Sequence, residues 1–222
     1  MNIEYLLFNF LILFFSSLGV VIYPGALLPR LRPALTAILG VGLLYLIWDY
    51  FVTDWWWKFN AEFVLGVFVG RLPLEEILFF LTVPWSCLII WVNLKSKISS
   101  KPFFRLENIL LLFSVPVGVW ATIYNKWYSA LTALVILIVV LISKLSHHWL
   151  NSKSALVFLS MVFLLTIIFN GYLTARPVVI YNSDVISNIK IYTIPIEDLF
   201  YGLTLISASV ILYEKLSEKR KS

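Results

Sequence analysis

Seven apolar runs, each close to the length of a membrane crossing, dominate this chain of 222 residues. A helix needs about 20 mostly apolar residues to span a bilayer. Runs of that kind occupy residues 4–23, 33–52, 74–93, 106–124, 128–144, 154–172 and 196–214. They are continuous rather than alternating, which argues against a β-barrel. A backbone in lipid must also satisfy its own hydrogen bonds, so helices are the natural form. The expected fold class is an all-α integral membrane protein with seven transmembrane helices. Composition agrees, with 61% hydrophobic residues against roughly 45–50% in soluble domains. Pro24-Gly25, Pro29, Pro33, Pro102 and Pro177 mark the loops. The start, Met1-Asn2-Ile3-Glu4, lacks the basic residues of a cleavable signal, so the first run is expected to remain as a helix.

A short motif occurs twice. Pro73-Leu74-Glu75-Glu76 precedes the third run and Pro195-Ile196-Glu197-Asp198 precedes the seventh, an offset of 122 residues. The same offset carries runs one to three onto runs five to seven and leaves run four over. Asp49 then falls at Gly171, beside Asn170. The expectation is one membrane domain, 1–222, built as repeat one (1–100), a connector helix (101–125) and repeat two (126–222). Three helices plus one connector keep the repeats parallel, with both acidic motifs at one face of the bilayer.

Charge sets the orientation. Loops 1–2, 3–4 and 5–6 together with the C-terminus hold 12 of the 17 basic residues. The positive-inside rule places that side in the cytoplasm, the N-terminus outside and the C-terminus inside a bacterial or archaeal plasma membrane. The net charge of +5 therefore reflects topology, and no nucleic-acid partner is expected. Nine of the 12 acidic residues fall on the outer half: Glu4, Asp49, Asp54, Glu62, Glu75, Glu76, Asp184, Glu197 and Asp198.

Carboxyls at the mouth of a lipid-facing helix are costly and mark functional sites. Proline at a first helical position sacrifices no hydrogen bond, and acids in the first turn favour the helix dipole. Two adjacent carboxyls beside lipid do not both ionise cheaply, so one is expected to keep its proton as a general acid. Glu75 shares a face with Phe79 and Thr82, and Glu76 with Phe79, Phe80 and Val83. Glu197 shares one with Phe200 and Tyr201, and Asp198 with Tyr201 and Gly202. Which member of each pair points inward is left open. Trp48, Trp55-Trp56-Trp57, Tyr172, Tyr181 and Tyr192 fall on the outer side. Most fit an interfacial belt. Trp48 and Tyr172 are the candidates for cation–π contact in a pocket, each beside a polar member of the repeat. Asp49, Asn170 and Thr174 serve either a site or hydrogen bonds between helices.

No glycine-rich phosphate loop and no His-Glu-x-x-His or Asp-rich diphosphate motif occurs. Cys87 is the single cysteine and His147-His148 lie on the inner side. No cofactor and no metal are expected, and the chemistry these residues support is proton transfer. A proton-coupled carrier suits intramembrane acids and repeats too, though its polar groups would sit near the midplane. A retinal protein would need a lysine deep in the last run, which has none before Lys215.

Pro73-Leu74-Glu75-Glu76-Ile77-Leu78-Phe79-Phe80 resembles the Pro-Leu-Glu-Glu-x-x-Phe-Phe signature of the small membrane lycopene cyclases. Asn170-Gly171-Tyr172-Leu173-Thr174, Pro177-Val178-Val179-x-Tyr181 and Ile194-Pro195-Ile196-Glu197-Asp198 follow the order of that family's second repeat. The resemblance covers nearly the whole chain. It implies redox-neutral ring closure at the ends of lycopene taken from the lipid bilayer, giving β-ionone rings. Glu75, Glu76, Glu197 and Asp198 would be the catalytic acids and bases. Trp48, Asp49, Phe79, Asn170, Tyr172 and Tyr201 would bind substrate. Another polyene, an ε-type ring and a homo-oligomer remain open.

Overall fold

The computed structural model describes residues 3–22 and 26–218. The Pro24-Gly25 loop marker and the basic residues Lys219, Arg220 and Lys221 lie outside the described residues. Seven helices follow one another: α1 Glu4–Ile22, α2 Leu31–Val52, α3 Leu74–Lys95, α4 Leu106–Ile123, α5 Trp127–Lys144, α6 Lys153–Ala175 and α7 Ile196–Glu218. All seven are long and apolar enough to cross a membrane. Their outer flanks carry exposed Leu, Ile, Val and Phe, as a lipid-facing surface requires.

The loops on the acidic side are not featureless. They form short strands that the apolar runs do not reveal: β1 Trp57–Phe59, β2 Phe68–Val69, β3 Leu72–Pro73, β4 Val179–Tyr181, β5 Lys190–Ile191 and β6 Ile194–Pro195. The offset of 122 carries β1 onto β4, β2 onto β5 and β3 onto β6. The hairpin β2–β3 runs directly into α3, and β5–β6 runs directly into α7. Gly70 turns the first hairpin at φ 63°, and any side chain there would strike the Tyr50 ring. Its repeat counterpart Tyr192 holds the same left-handed conformation, φ 58°.

One expectation needs correcting. Pro73 and Pro195 are not the first helical residues. Pro73 is extended, with φ −66° and ψ 150°, and each proline closes a hairpin one position before its helix. The hairpin pairs Pro73 with Phe68 and Pro195 with Lys190. The acids therefore stand at the second and third helical positions, where backbone N–H groups still lack helical partners.

β1 and β4 pair with each other, antiparallel, with Lys58 opposite Ile180. Those two residues are themselves 122 apart, so a local two-fold axis passes through the pair and ties the two halves at the end that carries the acidic motifs. Beneath it α3 and α7 touch each other. α1 packs along α3, as its counterpart α5 packs along α7. α4 lies against α5. Buried Glu107 holds its first turn there through Ser143 (2.6 Å), His148 (2.7 Å) and Asn151 (3.0 Å).

Candidate active site

The two acids of each motif have different jobs. Glu75 is fully buried, and its Oε1 accepts the backbone N–H of Leu65 at 2.5 Å. Glu197 accepts the backbone N–H of Ser187 at 2.6 Å and the Ser129 hydroxyl. Leu65 and Ser187 are 122 apart, as are the two glutamates. Each glutamate thus anchors the loop that precedes its own helix, and neither lines the cavity that their neighbours face. Their neighbours Glu76 and Asp198 are the members of each pair that reach the cavity.

Glu76 and Asp198 face one elongated cavity of about 580 Å³ between α1, α3, α6 and α7. The Tyr5 hydroxyl of α1 donates to Glu76 Oε2 at 2.6 Å. Asp198 receives the Tyr128 hydroxyl of α5 at 2.9 Å and the Asn170 amide of α6. The Tyr181 phenol of β4 lies against the same carboxyl. Burial, reinforced by Asp198, pushes that phenol well above its ordinary pKa, so Tyr181 remains a donor. Asp49 of α2 is a third acid in the wall, and it accepts the Tyr201 hydroxyl at 3.0 Å. Asp49, Glu76 and Asp198 are close enough to feel one another's charge.

The rest of the wall is apolar or aromatic. Trp57, Phe59, Phe79, Phe80 and Tyr201 surround the acids, and Cys87 lies further along α3. Among the described residues no group of three or more His, Cys, Asp or Glu side chains converges as metal ligands.

Of the expected binding residues, Asp49, Phe79, Asn170 and Tyr201 line the cavity. Trp48 and Tyr172 do not. Trp48 turns toward Trp56, their rings edge-on at 5.3 Å. Tyr172 is half-exposed, and its hydroxyl donates to Glu4 at 2.5 Å beside the Arg176–Glu4 ion pair. Trp48 packs half-buried against the core, and only Tyr172 has the exposure that the aromatic-belt reading expects. Within the Trp55-Trp56-Trp57 run only Trp57 reaches the wall, because β1 turns it inward while Trp55 remains exposed. Sequence reasoning missed Tyr5 and Tyr128. The available signal was a phenol in the first turn of each repeat's opening helix.

The halves are not packed alike. α2 lies along α7, whereas its counterpart α6 meets α3 over a shorter stretch, and the cavity occupies the gap.

A family model described as lycopene cyclase matches residues 2–94 and 125–216. The chain belongs to the lycopene cyclase family. It is thus a cyclase that acts on a carotenoid from within the membrane. The two matched stretches are the two repeats. α4 falls wholly between them, and every described cavity-lining residue except Lys97 falls within them. No curated protein and no solved structure gives a significant match.

Proposed function

We propose that this lycopene cyclase closes β-ionone rings on lycopene, with Glu76 as general acid and Asp198 as base. The carrying observation is that these two carboxyls, at equivalent positions of the two repeats, line a single apolar cavity. Their surroundings favour this division of roles. At least two donors reach Asp198, a shell suited to a carboxylate, whereas one phenol meets Glu76.

The Glu76 O–H gives its proton to the terminal double bond of the linear end, leaving a tertiary cation. The next internal double bond attacks that cation, forms the ring bond and carries the positive charge into the ring. Asp198 removes a proton from the ring carbon that bears the polyene arm, and the ring double bond forms. Return of that proton to Glu76 resets the site. No electrons are gained or lost. The rings of Trp57, Phe79 and Tyr201 offer π faces to the transient cation. Exclusion of water protects the cation from capture. Asp49, held by Tyr201, shares the cavity wall with both acids and suits the proton return.

Repeat one (1–100), a connector (101–125) and repeat two (126–222) form one domain in this reading. The orientation follows the basic loops, with the N-terminus outside and the C-terminus in the cytoplasm of a bacterial or archaeal cell.

The test is expression in cells that accumulate lycopene, followed by pigment analysis. A β-ringed carotene is expected. Unchanged lycopene with well-inserted protein would overturn the reading.

A further inference from the structure

The cavity does not end at the acids. On α3 its wall runs from Glu76 through Phe79, Val83, Ser86 and Ile90 to Asn93. That is a single helical stripe, about 26 Å long at the α-helical rise. On α1 it runs from Tyr5 through Ile12 and Ser16 to Gly19 and Val20. α7 and α6 contribute only to the outer part, from Asp198 to Ile206 and from Leu173 to Val162. The outer part is closed: Tyr5, Trp57, Tyr128 and Tyr201 are all buried. The inner part is open-sided. Phe15 is 61% exposed, and a Cβ built on Gly19 would meet nothing within 4 Å.

We propose that this inner groove, floored by the α3 stripe and flanked by Gly19 of α1, binds the unreacted half of the linear polyene. The substrate then lies across the membrane, one end among the acids and the other toward the cytoplasmic interface. The proposal rests on reading the outer pocket as the cyclisation site. It adds a second subsite, which takes an apolar polyene arm and is open to lipid along its side. It also fixes the order of events. Only one end can occupy the acids while the other lies in the groove. Each visit therefore closes one ring, and a one-ringed product leaves and turns round before its second end can react.

The test separates binding from chemistry. Protein carrying Glu76→Gln is purified from lycopene-accumulating cells, and retained polyene is read by absorbance against protein. Retention is expected. Adding Gly19→Phe fills the groove and should lower retention by about tenfold. Leu11→Phe, on the lipid side of α1, should leave it unchanged. Equal retention with and without Gly19→Phe overturns the groove, as does absence of polyene from every variant. Retention that Gly19→Phe abolishes, in a protein whose wild type forms no ring, upholds the groove and refutes the cyclisation reading instead. With lycopene in excess over wild-type protein in vesicles, one-ringed carotene should appear first and spread to added acceptor vesicles. Two-ringed product without a lag would overturn the one-end order.

Discussion

Exchanging the two adjacent acids of α3 separately discriminates most sharply among readings of this site. Glu76→Gln keeps the shape of the side chain and an acceptor for the Tyr5 hydroxyl, now 2.6 Å from Oε2. It removes only the transferable proton. A positioned general acid typically contributes 10²–10⁴-fold, or about 3–5 kcal/mol at 1.36 kcal/mol per tenfold. The rest of the pocket wall is mostly aromatic and aliphatic, and its other two carboxyls, Asp49 and Asp198, stand on other helices, so the middle of the range applies. Ring formation should fall by about 10³-fold. Glu75→Gln acts elsewhere. Its amide oxygen can still accept the Leu65 N–H, but its –NH₂ replaces an Oε2 that is buried without a partner. An unsatisfied buried donor costs about 1–3 kcal/mol of stability, with no direct effect on the reacting atoms. The assay is pigment chromatography from lycopene-accumulating cells, normalised to folded protein by in-gel fluorescence of a C-terminal tag. Glu75→Gln should lower protein yield or thermal midpoint while the rate per folded molecule stays within about fivefold, a barrier change near 1 kcal/mol. If Glu76→Gln keeps a tenth of the wild-type rate, or if both variants lose rate equally per folded molecule, the assignment of Glu76 is wrong.

Four further outcomes follow from the same geometry. Tyr5→Phe removes the donor to Glu76 and should slow ring closure per folded molecule about tenfold; an unchanged rate would show that Tyr5 does not position the acid. Glu197→Ala leaves the Ser187 N–H and the Ser129 hydroxyl without their acceptor, and the lost stability should be about 1–3 kcal/mol per group, measured as a lower thermal midpoint in detergent. Gly202→Phe places a ring where an added Cβ meets open cavity. It should abolish turnover while melting no earlier than wild type, and full activity would mean that the substrate lies elsewhere. A C-terminal reporter that is active only in the periplasm should stay silent, and a strong signal would reverse the proposed orientation.

The helices were legible because lipid imposes a length and forbids unpaired backbone. Observed boundaries lie within four residues of the apolar runs. α6 and α7 continue past theirs: Thr174 is still helical, with its hydroxyl bonded back to the Asn170 carbonyl, and near the end of α7 Glu214 accepts Trp91 Nε1 at 2.7 Å. The acidic motifs were legible as a pair for the same energetic reason: carboxyls are rarely left in that setting without a task. Which acid of each pair faces the cavity was not. Adjacent residues in a first helical turn point about 100° apart, and nothing in the apolar pattern fixes that rotation. It is set by backbone N–H groups of Leu65 and Ser187, ten residues upstream, which draw Glu75 and Glu197 toward the loops. Trp48 and Tyr172 failed as pocket residues for a related reason. An aromatic side chain at the interface is equally at home on the lipid side and the protein side of its helix.

The offset of 122 makes the halves alike in sequence, yet the cavity belongs to one side only. The α2/α3 contact corresponds, under that offset, to the α6/α7 contact, and the cavity opens beside the second. On the α3 side of this comparison Phe80 is buried against Tyr45, ring centroids 6.4 Å apart. Its backbone carbonyl would lie 3.3 Å from a Cβ on Gly42 of α2. The helices close there because Gly42 has no side chain and Phe80 fills the remaining space. On the α7 side the counterparts are Gly202 and Leu164. Gly202 fills nothing, and Leu164 turns to lipid, 59% exposed. Without the ring and the close approach, α6 stands off and leaves a cavity into which both copies of the acid can look. A strictly symmetric dimer of such repeats would either fill both gaps or open both. Duplication within one chain lets one position hold phenylalanine and its copy glycine, so two equivalent carboxyls come to serve one pocket with unequal hydrogen-bond shells.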